Sequence, residues 1–211
     1  MKKFLLNRRG AAIPVVFLLI IPLMFAIGIG GFKIVSMITI ADIDIQESVA
    51  YAVKDAAGRM HQESQADGYM RIVSDSAHES FRLSLAKNLG LNKDDLTPVT
   101  SKFAGAPRYW LMVYNGHDDY AGAASCRLYY FNGMTVTVTE LINNGFPQSF
   151  AISETGIVLG EGGSYAVKLE TPGVVALIEI EPKKIVAGNI NKIQRWASAR
   201  MVSVGGSFSI I

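Results

Sequence analysis

The chain holds a single cysteine, Cys126. That excludes an intramolecular disulfide and any CxxC zinc or redox site. In the string Ser125-Cys126-Arg127-Leu128-Tyr129-Tyr130 it reads as a buried, inert strand residue. Histidine is scarce as well. His61, His78 and His117 are scattered, and none belongs to an HExxH motif or a comparable ligand pair. No Gly-x-Ser-x-Gly nucleophile elbow is present. The stretch Gly160-Glu161-Gly162-Gly163-Ser164 lacks the lysine and following helix of a P-loop, and it reads as a hairpin turn. Asn115 to Tyr120 carries two carboxylates without EF-hand spacing and reads as a solvated loop. No catalytic residue, metal or cofactor is therefore expected, and the protein is not expected to be an enzyme. A formal charge of +2 gives no basic surface on which to build a nucleic-acid binder.

What the sequence has in abundance is apolar length near its start. Ala11 to Phe32 carries no charged or amide side chain, and about 22 residues at 1.5 Å each would cross a ~30 Å hydrocarbon layer. Lys2, Lys3, Arg8 and Arg9 precede it, and the first acid is Asp42. This charge asymmetry predicts a single-pass membrane protein with a cytoplasmic N-terminus and an extracytoplasmic C-terminal domain, at the cell surface or in the periplasm. Three readings fit the segment: a cleaved secretory signal, a plain tether, and a prepilin leader whose basic tail is removed while the helix stays. Pro22 would kink the helix. Gly28 and Gly31 share a face and could admit a neighbouring helix, or simply loosen the helix end.

The string from Arg8-Arg9-Gly10-Ala11 through Pro14-Val15-Val16-Phe17 to Ile21-Pro22-Leu23 resembles the start of the minor pilins of tight-adherence (Tad or Flp) pilus systems, the TadE/TadG-like pseudopilins. The resemblance implies processing by a prepilin peptidase between Gly10 and Ala11, with Arg8 and Arg9 as part of the signal. It also implies other pilin-like subunits as partners. The family's acidic residue near mature position five is Val15 here. Pro14 would fall in the first helical turn of the processed chain, where a missing N–H costs little.

Beyond the apolar run, Ile34, Met37, Ile38, Ala41, Ile45, Val49, Ala52, Val53 and Ala56 recur at three- and four-residue spacing, with neither Pro nor Gly between Phe32 and Ala57. The pattern predicts one long helix from about Ala11 to Met60, half in lipid and half on the exported domain. A second amphipathic helix is predicted over Tyr69 to Leu89, with Gly90 as its C-cap. Short alternating runs follow. Cys126–Phe131 and Met134–Thr139 flank Asn132-Gly133, which predicts a type I′ hairpin. Other strands are predicted over Arg108–Tyr114, Gln148–Ser153, Gly156–Leu159, Tyr165–Glu170, Val174–Glu181 and Ile193–Val204. The aromatic residues of the central strands read as sheet core, with a contact patch wherever alternation leaves them outside.

The expected fold is α+β and pilin-like: the long N-terminal helix with transmembrane and exported halves, a second amphipathic helix, then an antiparallel sheet. Its divisions are a basic cytoplasmic leader (1–10), a transmembrane helix (11–32), a helical stalk (33–62) and an exported domain (63–211). The expected function is that of a minor pilin or pseudopilin, a structural component of a pilus or related secretion and assembly system. Its expected partners are the lipid bilayer, other subunits and the peptidase. The alternative is an uncleaved, membrane-tethered extracellular binding or adhesion module. A tethered hydrolase has least support.

Overall fold

The computed structural model describes residues 8–66, 68, 70–100, 102–116, 124–141, 145–183, 192–204 and 207–211, with backbone only at 8–16, 32–43, 63, 65, 203–204 and 207–208. The chain divides into two compact units, Met1–Ile43 and Asp44–Ile211. Backbone is helical over Arg8–Ala57 (α1). The side chains of α1 are described in two separate stretches, 17–31 in the first unit and 44–57 in the second.

The expectation of one long N-terminal helix, half in lipid and half outside, is corrected here. The described side chains form three short helical stretches, 17–31, 44–57 and 74–89. Among the described residues no helix is long and apolar enough to cross a membrane. The single-pass placement, with its cytoplasmic N-terminus and extracytoplasmic domain, falls with it.

Residues 44–57 instead serve as a core helix of the second unit. Ile45, Val49, Ala52, Val53, Ala56 and Ala57 form one stripe, and all are fully buried. A short α2 (Gln62–Ala66) and then α3 (Ser74–Leu89) follow. α3 buries Ala77, Phe81, Leu85 and Leu89, and Gly90 ends it in the left-handed region at φ 68°, ψ 46°. Leu91 N–H donates to Ala86 C=O at 2.8 Å, which closes the last turn in the way the sequence predicts.

Among the described residues nine strands make two sheets rather than the single sheet expected. The larger runs β3-β2-β1-β7-β8-β9 and the smaller β5-β4-β6, and every pairing is antiparallel. In the larger sheet β1 (Arg108–Tyr114) and β7 (Gly173–Ile180) are central, flanked by β2 (Cys126–Phe131), β3 (Val136–Glu140), β8 (Ile193–Val204) and β9 (Ser207–Ile210). The smaller sheet holds β4 (Gln148–Ser153), β5 (Gly156–Leu159) and β6 (Tyr165–Leu169).

The near-continuous apolar strings of β1 and β7 have a direct reason: both faces of their sheet are covered. On one face Tyr109, Leu111, Val113, Val174, Ala176 and Ile178 pack with the helices. On the other Trp110, Met112, Tyr114, Val175 and Leu177 meet Phe150, Ile152 and Val167 of the small sheet. The central aromatic residues are consequently core on both sides.

Two connections depart from the predicted turns. Asn132-Gly133 opens a loop over 132–135, since Phe131 pairs with Val136. Only Gly133 has positive φ (98°), whereas type I′ needs two such residues. Asn132 Oδ1 instead accepts from Met134 and Thr135 N–H, both at 2.9 Å. Gly160–Ser164 makes no hairpin either, because β5 and β6 lie on opposite sides of β4. The chain crosses over β4 so closely that a Cβ on Gly163 would stand 2.5 Å from Ile152 O. Thr171-Pro172-Gly173 likewise carries the chain from one sheet to the other.

Candidate functional site

The apolar helical stretch 17–31 is the feature of the first unit that calls for a partner. Leu18 is 74% exposed and Phe25 67%, and Leu19, Leu23, Met24 and Ile27 are similarly open. Continuous exposed apolar surface marks an interaction site. Gly28 and Gly31 have nothing within 4 Å of where a Cβ would stand, so among the described residues no neighbouring element packs on that face. Pro22 lies inside the helix and is exposed. Arg8, Arg9, Gly10 and Ala11 fall outside the residues whose side chains are described.

In the second unit two shallow cavities of about 370 and 420 Å³ adjoin along α3 and share Arg59, Ser80 and Leu83. Tyr51 and Asp55 border one of them and Glu79 the other. Their walls are mixed, with Arg59, Glu79, Asp55 and Lys87 beside Leu83.

Two polar clusters, invisible in the sequence, knit the second unit together. On the helix side His78 stacks on Tyr129 with ring centroids 4.2 Å apart, and its Nε2 shares a 2.7 Å hydrogen bond with Tyr109 Oη. Tyr129 Oη donates to Asp75 Oδ1 at 2.7 Å, and Arg127 bridges Asp75 and Glu140. Burial, reinforced by the neighbouring Arg82 charge, lowers the His78 pKa to about 4 against a weaker opposing pull from Asp75. Burial also pushes the Tyr109 and Tyr129 hydroxyls well up. These groups hold α3 against β1 and β2. His78 is neutral at neutral pH, with its Nε2 engaged by Tyr109 Oη.

On the opposite face Glu179, 8% exposed, takes Arg108 and Lys192 at 2.9 Å each. Gln194 donates to it at 3.0 Å and also reaches the carbonyl of Glu154. Burial alone would raise the Glu179 pKa, but the hydrogen bonds from Lys192 and Gln194 and the two nearby cations together hold it below the usual carboxylate range. The cluster ties β1, β7 and β8 to the β4–β5 turn.

The remaining sequence candidates resolve as follows. Cys126 is buried beside Met112 Sδ at 3.5 Å, and burial pushes its thiol up to about 12. Asn115 points inward: its Oδ1 accepts from Ile72 N–H at 2.7 Å, and its Nδ2 donates to the carbonyls of Ile72 and Ala124. His117, Asp118, Asp119 and Tyr120 lie outside the described residues. Among the described residues no group of three His, Cys, Asp or Glu could hold a metal ion.

Comparison with protein-family models, with curated proteins and with solved structures finds no match in any of the three. They supply no support for a pilus or Tad assignment, and the likeness to tight-adherence minor pilins stands on sequence strings alone.

Proposed function

We propose that the protein is a structural assembly subunit of the minor-pilin or pseudopilin kind, one that associates with similar subunits through its apolar helical stretch. The observation that carries this reading is the contrast within the described helical residues. The 17–31 stretch leaves large apolar side chains more than half exposed, whereas every apolar side chain of the 44–57 stripe is buried. Apolar surface of that extent is stable in an assembly when helices pack against one another, and small residues such as Gly28 and Gly31 permit close approach. The Arg8-Arg9-Gly10-Ala11 string adds the processing signal such a subunit would carry. The two polar clusters brace strands of the second unit.

The test is co-expression with a prepilin peptidase, followed by sequencing of the mature N-terminus. The expected first residue is Ala11, and Gly10→Val should abolish the cut while the protein still accumulates. An intact N-terminus in the presence of active peptidase, or cutting unaffected by Gly10→Val, would sink the proposal.

A further inference from the structure

The larger sheet ends on one side at β3, the strand Val136-Thr137-Val138-Thr139-Glu140. Among the described residues β3 pairs with β2 alone. An edge strand offers a row of unpaired backbone groups, and proteins usually blunt such edges with proline, lysine or a bulge. β3 has no proline and no lysine, and its register with β2 runs unbroken from Phe131↔Val136 to Arg127↔Glu140. Residues 137–140 are exposed along it.

Which backbone groups are free follows from the ladder. Leu141 N–H donates to Cys126 C=O and Asn132 N–H donates to Thr135 C=O. Hydrogen-bonded pairs alternate in an antiparallel ladder, so Thr135, Thr137, Thr139 and Leu141 turn their amides toward β2. Val136, Val138 and Glu140 turn theirs outward. The single charge on the strand, Glu140, is already paired with Arg127. The edge therefore selects no charged partner, and its alternating Val/Thr pattern is its own complement.

We infer that β3 is the contact strand of a symmetric dimer, in which β3 of a second copy lies antiparallel beside it with Thr137 on the two-fold axis. That register sets Val136 against Val138 and Thr135 against Thr139, like with like, and places Glu140 opposite Met134, so no like charges meet. The outward amides of Val136 and Val138 bond their counterparts, and Val138, half-exposed in the monomer, is covered. An interface of this kind is isologous and closed. It would join two sheets into one twelve-stranded sheet without using the N-terminal helix.

Cross-linking of the full chain through one introduced cysteine tests it, the native Cys126 being buried. A cysteine on a two-fold axis faces its own copy. Thr137 would form a non-hydrogen-bonded pair with Cα atoms about 4.5 Å apart, within disulfide reach. Thr137→Cys should yield a disulfide dimer on non-reducing gels at least ten-fold above Thr139→Cys, whose counterpart is Thr135. Adding Val138→Pro removes an outward N–H that β2 does not use, and should cut the yield to the Thr139→Cys background while the circular dichroism spectrum stays native. If the proline variant does not fold, Val138→Lys serves in its place and should have the same effect. Equal yields from Thr137→Cys and Thr139→Cys, or a yield untouched by a folded Val138 variant, would overturn the dimer. The readout does not involve the Gly10–Ala11 bond, so it succeeds or fails separately from the processing test.

Discussion

The two stretches of α1 whose side chains are described handle apolar residues in opposite ways. In 17–31 leucine, isoleucine and phenylalanine face outward, with Leu18 at 74% exposure. In 44–57 the aliphatic side chains Ile45, Val49, Ala52, Val53, Ala56 and Ala57 make one fully buried stripe, while Tyr51 faces out. The difference lies in patterning rather than hydrophobicity. A helix that is apolar all round has no polar face to turn to water. A helix with one apolar stripe is completed by its own domain.

The sharpest way to test this contrast is to truncate one side chain of 17–31 and one in the core into which 44–57 packs. Phe81 of α3 is fully buried among the helix-face residues and stacks edge-on to Tyr109. Phe81→Ala should destabilise the second unit by about 3–5 kcal/mol, read as a fall in the denaturation midpoint followed by the fluorescence of Trp110 and Trp196.

The second effect is a pH dependence confined to the folded unit. The His78 pKa falls from 6.5 unfolded to about 4 folded. The unfolded chain therefore binds the extra proton between those values, and stability rises with pH across that window. Stability from neutral His78 is fully present above about pH 6.5 and is lost as pH falls toward 4, by on the order of 2–3 kcal/mol. Urea titrations at pH 7 and pH 4 should show this loss, and His78→Phe should flatten it. A slope unchanged in the variant would place the acid sensitivity elsewhere, with Glu179 as the next group to examine.

The smallest effect is the counterpart of the first. Leu18→Ala should leave the denaturation midpoint of the second unit within about 0.5 kcal/mol of the parent, while reducing self-association in light scattering. A large loss of stability would mean that 17–31 packs within the fold.

Much of the secondary structure was legible because it follows from local chemistry. The spacing of Ala77, Phe81 and Leu85, and Gly90 after them, locate α3 and its end. The strings Arg108–Tyr114 and Val174–Glu181 locate the two central strands. What was not legible is partnership. Alternation locates a strand but does not say that β5 and β6 flank β4, or that a second sheet covers the face carrying Trp110 and Tyr114. Asn132-Gly133 suggested the tightest turn because that pair tolerates it. The Asn132 side chain instead caps a wider loop, a choice fixed by the Phe131↔Val136 register. The ties from His78 to Tyr109 and from Glu179 to Arg108 join residues far apart in sequence, with no local spacing to announce them. The N-terminal run was overread, since a hydropathy pattern continuous through Phe32 and Ile34 gave no sign of the division that the structure places after Ile43.

The pairing of β1 with β7 carries a kinetic consequence. Tyr114 lies opposite Gly173 and Arg108 opposite Glu179, so the middle of the larger sheet closes around everything between them. A ribosome must release most of the chain before that central ladder can form, and the intervening small sheet has to be accommodated first. Contacts of such separation slow the search, and refolding should fall in the milliseconds-to-seconds range typical of non-local β topologies. Until then β1 can pair on its β2 edge alone, and a holdase that shields the other edge would raise the yield of native protein.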